Sequence, residues 1–273
     1  MNATALFNDD AEGTAGHPAD TPRRKVLVTG AGGAIGRHFS ASAAERYDLR
    51  LMLLPGKEPR ELADRGELVH ADLSDPGAMA EAVAGVDTVL HLAADSSTRA
   101  KWPSLLKNNL DGLHTLYEAS VEAGVRRVIF ASSIHAVYAH APGHLVRPED
   151  APMPGNLYGA SKAFGESLGR YYAVRRGLSV INVRIGWCCP TEKVPSEPHP
   201  GLRTIWVSPR DMDQLLVRCI DDTRLRYAVV HGTSRTDLPV LELESTCALL
   251  GYDPQDHAMA PELAYRAPQD PAG

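Results

Sequence analysis

The stretch VLVTGAGGAIGRHF, residues 26–39, constrains the fold more than any other part of this chain. An apolar strand runs into Gly30, Gly33 and Gly36, spaced T-G-x-x-G-x-x-G, and then into a helical pattern over 33–47. Glycines at these places let the turn tighten, let the backbone approach a pyrophosphate, and let helix pack on strand. The helix N-terminus then offers its unpaired N–H groups to an anion. The motif predicts a dinucleotide held by Gly30, Gly33, Ala34, Ile35 and Gly36.

Beyond the turn, strand and helix alternate. Strands are expected at 49–54, 67–71, 86–92, 127–131 and 179–184, and long helices at 105–123 and 157–176. Nearly all-apolar strands alternating with helices imply a parallel sheet covered on both faces. The expected class is α/β, a Rossmann-type doubly wound parallel sheet. After Gly186, prolines 190, 195, 198 and 200 indicate a loop. A helix capped by Ser208 and running to 222, a strand over 226–231 and a helix over 240–250 should follow. Residues 23–259 are read as a single domain, with a small C-terminal substrate-binding subregion at 186–259. Residues 1–22, without the basic start and apolar core of a signal peptide, are read as a disordered leader, and 260–273 as a flexible tail.

Composition narrows the partners. A net charge of -6 gives no reason to expect nucleic acid or an anionic membrane. No apolar run approaches the length of a membrane span. Cys188, Cys189, Cys219 and Cys247 have no metal-ligand spacing and suit neither a disulfide framework nor a zinc site. Reduced thiols in a cytoplasm, no metal and a small-molecule substrate are the expectation.

Further candidates sit at strand ends. Asp72 follows the third strand in HADL, beside Leu73; its carboxylate can accept from an adenine amino group or cap a helix. HLAA ends the fourth strand, where Leu92, Ala93 and Ala94 either leave room for a cofactor across the sheet or simply pack closely. In NLYGASKAFGE, Tyr158 and Lys162 are four apart on one helix face. A tyrosine with a pKa of about 10 is a poor base at neutral pH, and a neighbouring ammonium brings it toward the working range.

Together, T-G-x-x-G-x-x-G, ASS after the fifth strand and Y-x-x-x-K resemble the short-chain dehydrogenases/reductases of the extended, epimerase/dehydratase type, over residues 25–256. WPSLLKNNLDG, FASSIHAV, NLYGASKAFGESLGRYY, INVRIG and LGYDPQD are more narrowly similar to uronate dehydrogenases and haloarchaeal NAD-dependent glucose-6-phosphate dehydrogenases. The resemblance implies an NAD(P)-dependent oxidoreductase acting on a CH–OH group. It implies Tyr158 as base, Lys162 as its partner, and Asn109 on the cofactor side orienting or water-bridging the lysine. Ser96, Ser133 and His135 would line the substrate end. The two long helices would pair copies into a homodimer or higher homo-oligomer.

The departures from that family are specific. Where its dehydrogenases read S-S-N-H, this chain has Ser132, Ser133, Ile134 and His135. Isoleucine cannot hydrogen-bond a reacting oxygen, so Ser133 is expected to take over and Ile134 to line a more apolar pocket. Trp187 replaces a serine and supplies either a stacking face or core packing, while Arg203 is shifted by two residues from the arginine expected to hold a sugar carboxylate. These changes favour a cyclic sugar-like, nucleoside-like or natural-product alcohol or ketone over a hexuronic acid. The second strand ends Leu53, Leu54, Pro55 without the ribose-binding acid of NAD-preferring relatives, and Lys57 and Arg60 just beyond, with Arg37, either pair with a 2′-phosphate or belong to a solvated loop. NADP is therefore favoured slightly over NAD. A uronate or sugar-phosphate dehydrogenase, a nucleotide-sugar epimerase or dehydratase, and a non-catalytic cofactor sensor are the alternatives.

Overall fold

Strand β2 (Lys25–Thr29) is almost wholly buried, as its apolar run requires at the centre of a sheet covered on both sides. The computed structural model describes residues 5–8, 23–57, 59–190 and 200–258. In chain order the elements are β1 (Ala5–Phe7), β2, α1 (Ala34–Ala43), β3 (Asp48–Leu53), β4 (Glu67–His70), α2 (Pro76–Val83) and β5 (Thr88–His91). Next come α3 (Trp102–Leu105), a π-helical stretch (Leu106–Asp111), α4 (Gly112–Glu122), β6 (Arg127–Ser133), α5 (Leu157–Arg175) and β7 (Ser179–Ile185). The last are β8 (Trp187–Cys188), α6 (Pro200–Arg203), β9 (Trp206–Val207), α7 (Pro209–Asp221), β10 (Leu225–Gly232) and α8 (Glu244–Leu250).

The main sheet runs β1-β10-β7-β6-β5-β2-β3-β4. Every pairing in it is parallel except that of the edge strand β1, which lies antiparallel to β10. Alternate residues of β2 serve the two faces: Val26 and Val28 join a core with Phe39 of α1 and Leu215 of α7, and Leu27 joins another with Leu113, Tyr117 and Tyr172 of α4 and α5. This is the expected Rossmann-type arrangement. Strand order reverses at β2, which has β3 on one side and β5 on the other, so a crevice opens beyond the carboxyl ends of β2 and β5.

Several expected boundaries change. Ala5–Phe7, assigned to a disordered leader, is an edge strand, because the backbone of Ala5 and Leu6 pairs with Ala228 and Tyr227 of β10. The helix expected over 105–123 starts at Trp102 and is interrupted by the π-helical stretch. Helix α2 was not anticipated, although Asp75 accepts from Gly77 and Ala78 N–H and Pro76 occupies the first turn, the ordinary signals of a helix start. The helix expected over 240–250 begins only at Glu244, with Ser245 N–H donating to Glu242. Ser208 caps α7 as expected, its hydroxyl accepting from Asp211 N–H. Most of the leader, the proline-bearing segment 191–199 and the tail from 259 lie outside the described residues.

Candidate active site

The crevice begins at the glycine turn. Gly30 has φ +67° and approaches the end of β5 so closely that a Cβ there would lie 2.7 Å from Ala93 N. A Cβ on Gly36 would lie 2.7 Å from both Ala31 Cα and Gly30 O, so only glycine lets α1 start this close to the turn. Thr29 fixes the neighbouring strand end: its hydroxyl bonds His91 Nδ1 at 2.8 Å and accepts from Ala93 N–H at 3.2 Å. No side chain caps α1 and no acidic residue lies in its first turn. A cradle without side chains in front of an uncapped helix suits a diphosphate.

From this cradle the crevice extends both ways. One arm, about 750 Å³, is lined by Gly30, Gly33, Lys57, Asp72, Leu73 and Ala93, among others. The other, about 370 Å³, is lined by Gly33, Ser133, His135, Tyr158, Lys162 and Trp187, among others. Gly30, Gly33, Leu92, Ala94 and Ser96 belong to both. Ala34, Ile35 and Gly36 line the smaller arm. Ser133, His135, Tyr158 and Lys162 thus line an arm that shares walls with the arm lined by Lys57, Asp72 and Leu73.

At the wide end, Asp72 accepts from Ser74 N–H and hydroxyl on one oxygen and from Lys107 Nζ at 2.9 Å on the other. These bonds, led by Lys107, hold its carboxyl down at about 2. Asp72 therefore presents a carboxylate to the groove, while the helix-capping task falls to Asp75. Arg37 also lines this arm, but Glu61 binds its guanidinium at 2.9 Å. Arg60 is not among the described lining residues, whereas Lys57 is.

The narrow end is built by β6 and α5. Asn156 caps α5 by accepting from Gly159 N–H, which puts Tyr158 and Lys162 in the first turns against the end of β6. Lys162 is buried; its Nζ donates to Ala131 O at 2.7 Å and lies 5.6 Å from the centre of the Tyr158 ring. Burial drives the ammonium down to about 7. Tyr158 stands above its ordinary value because burial disfavours a phenolate, with a hydrogen bond from the Ser133 hydroxyl opposing the shift. In this arrangement Lys162 does not bring the tyrosine down as the sequence suggested; desolvation of both groups dominates. Behind them Glu166 forms a buried two-pronged ion pair with Arg184 at 2.9 and 3.0 Å and accepts from Ser132, tying α5 to β6 and β7.

Three expected site residues stand elsewhere. Ile134, 2% exposed, points into a small core with Val137, Val146, Ile205 and Leu241, because the 3₁₀ turn Ile134–Ala136, capped by Ser133, turns it away from the groove. Asn109 is consumed structurally: its amide binds the Asp95 backbone in both directions and donates to Ser161 Oγ at 2.9 Å. Asn108, its neighbour, lines the groove instead. Arg203 lies on α6 and is not among the described lining residues. Trp187 lines the narrow arm and also packs against the clusters that hold Ile134 and Trp206. Sequence reasoning missed Ser104, Asp95 and Asn108 on the wide arm and Cys188 on the narrow one. Ser104 and Asn108 lie in WPSLLKNNLDG, the stretch that carries the family resemblance, whereas Asp95 and Cys188 lie just beyond HLAA and INVRIG and belong to no motif.

A family described as "NAD dependent epimerase/dehydratase family" matches residues 26–189. The NAD-dependent glucose-6-phosphate dehydrogenase of Haloferax volcanii is 38% identical over 248 residues, covering 85% of this chain and 94% of that protein. The L-arabinose 1-dehydrogenase (NAD(P)(+)) of the same organism is 34% identical, covering 86% and 97%. Among solved structures, a variant of uronate dehydrogenase from Agrobacterium tumefaciens complexed with NAD superposes with a TM-score of 0.80 at 32% identity, covering 91% of this chain and 92% of that one.

Proposed function

The chain belongs to the NAD dependent epimerase/dehydratase family, and from that premise we propose that it is an NAD(P)-dependent dehydrogenase that oxidises a CH–OH group of a cyclic, sugar-like substrate. The observation that carries this reading is the single groove that joins the glycine cradle to Tyr158, Lys162 and Ser133. A nicotinamide dinucleotide held along it would supply the hydride acceptor for oxidation and the hydride donor for reduction. The glycine turn and the start of α1 would hold its diphosphate, and Asp72 and Leu73 its adenine end. Tyr158 takes the substrate's hydroxyl proton in oxidation and returns it in reduction. Ser133 donates to the same oxygen, and its hydrogen bond to Tyr158 opposes the burial that disfavours the phenolate, while Lys162 is held on Ala131 O beside the ring.

The narrow arm presents hydroxyls, an imidazole and an indole: Ser96, Ser133, His135 and Trp187. Such a lining supports hydrogen bonding around a ring that stacks on Trp187 and favours an uncharged sugar or sugar-like alcohol. The glucose-6-phosphate and uronate dehydrogenases among the relatives keep a charged sugar as the second reading. Lys57 at the ribose end, with Leu53 and Leu54 forming the wall beside it, supports a preference for NADP. Assembly as a homodimer is supported by an exposed apolar stripe on α5.

A panel of neutral aldoses, sugar phosphates and uronates, followed by the absorbance of the reduced nicotinamide with NAD and with NADP, tests both points. Turnover is expected with a neutral ring sugar, faster with NADP, and Lys57→Ala should weaken NADP use while leaving NAD nearly untouched. Turnover with uronates or sugar phosphates alone would replace the substrate reading, and equal losses for the two cofactors would remove Lys57 from the ribose end.

A further inference from the structure

Asn156 touches neither arm of the groove, yet its side chain reaches a residue that does. Its Oδ1 accepts from Gly159 N–H at 2.8 Å, which fixes the orientation of the amide and leaves Nδ2 as the end that faces His135 Nδ1, 3.1 Å away. An amide nitrogen only donates, so His135 Nδ1 must accept and the ring proton must sit on Nε2. The two segments are held rigidly. Met153 N–H donates to Ala136 O and Ala139 N–H to Met153 O, both at 2.9 Å, and His135 N–H donates to Ser133 Oγ. The start of α5 is jammed against the same turn, since a Cβ on Gly159 would lie 2.1 Å from His135 O.

We propose that Asn156 is a positioning residue that confines the proton of His135 to Nε2, making the imidazole a hydrogen-bond donor to an acceptor oxygen of the substrate beside Tyr158. His135 lines the narrow arm, and its ring meets the Tyr158 ring edge-on at 5.8 Å and the Tyr138 ring at 5.6 Å. No described residue hydrogen-bonds Nε2. Burial alone acts on the ring's titration, pressing it toward the neutral form, with no charged group contributing. The inference rests on the dehydrogenase reading for its substrate, but not for its tautomer. It requires that the bound ring offer a lone pair near the reacting carbon, such as a ring oxygen or a neighbouring hydroxyl.

Asn156→Asp tests this cleanly. Aspartate keeps the cap on Gly159 N–H, so the fold is retained, but it turns the His135 partner from donor into acceptor. Histidine ¹⁵N spectra, with His135 identified by its loss in His135→Gln, read the tautomer without substrate. The wild type is expected to show a protonated Nε2 and a bare Nδ1. Asn156→Asp is expected to protonate Nδ1 and to carry a second proton to a higher pH, raising KM roughly tenfold or more at neutral pH while the thermal shift with cofactor is unchanged. A wild-type ring protonated at Nδ1, or a tautomer and KM unmoved by Asn156→Asp, would overturn the proposal. A protein that shows the predicted tautomers but transfers no hydride would leave the positioning intact and defeat the dehydrogenase reading instead.

Discussion

At the scale of single residues, this site is governed by desolvation. Lys162 is buried with one carbonyl partner, Ala131 O, and its ammonium is pushed down to about 7 from an ordinary 10.5. The unfolded chain therefore holds more protons than the folded one between those values, and folding becomes more favourable as pH rises through them. Lys162→Met removes that burden. The melting temperature of the cofactor-free variant should exceed that of the wild type at about pH 6, and the gap should narrow by about pH 9, where the wild type has shed most of the penalty. A gap that stays level across that range would show that the lysine's charge is not the cost. The same scale explains what the sequence could and could not tell. Tyr158 and Lys162 were legible because their spacing and their helix are both local facts. Ile134 was misplaced because its direction depends on a cap one residue earlier: Ser133 accepts from His135 N–H, and the turn carries the isoleucine into a core built from 137, 146, 205 and 241.

Among elements, the order of strands and helices was largely legible, because apolar runs and glycine turns report directly on local structure. Elements whose reason lies in distant partners were not. Strand β1 has only three residues and is made a strand by β10, more than two hundred residues away. The π-helical stretch turns Asn109 onto the Asp95 backbone and Ser161, bonds no motif encodes. Helix α5 shows a second pattern. Leu157, Phe164 and Tyr171 recur every seven residues and stay 51%, 39% and 50% exposed. With the exposed Val174 they form an apolar stripe on a helix whose other face covers the sheet. Placing a charge on this stripe with Phe164→Glu and Tyr171→Glu should convert a dimer to a monomer in light scattering at micromolar protein and leave the monomer folded. A wild-type monomer under those conditions would exclude pairing through α5.

Over the whole molecule, the two cores on either side of the sheet fix the carboxyl ends of β2, β5 and β6 beside the starts of α1 and α5. The glycine cradle and Tyr158, the residue proposed to handle a proton, come from stretches more than a hundred residues apart, and the sheet brings them into one groove. Binding and proton transfer are therefore separable by substitution. Tyr158→Phe removes one hydroxyl at a position that is 9% exposed and leaves the cradle untouched. The direct measurement is hydride transfer by wild type and Tyr158→Phe at saturating cofactor, alongside the thermal shift each protein gains from that cofactor. Turnover should fall by roughly 10²–10⁴-fold, the usual worth of a general acid–base, while the thermal shift, which reports binding to the folded state, stays that of the wild type. A Tyr158→Phe protein that turns over substrate as fast as the wild type would contradict the account.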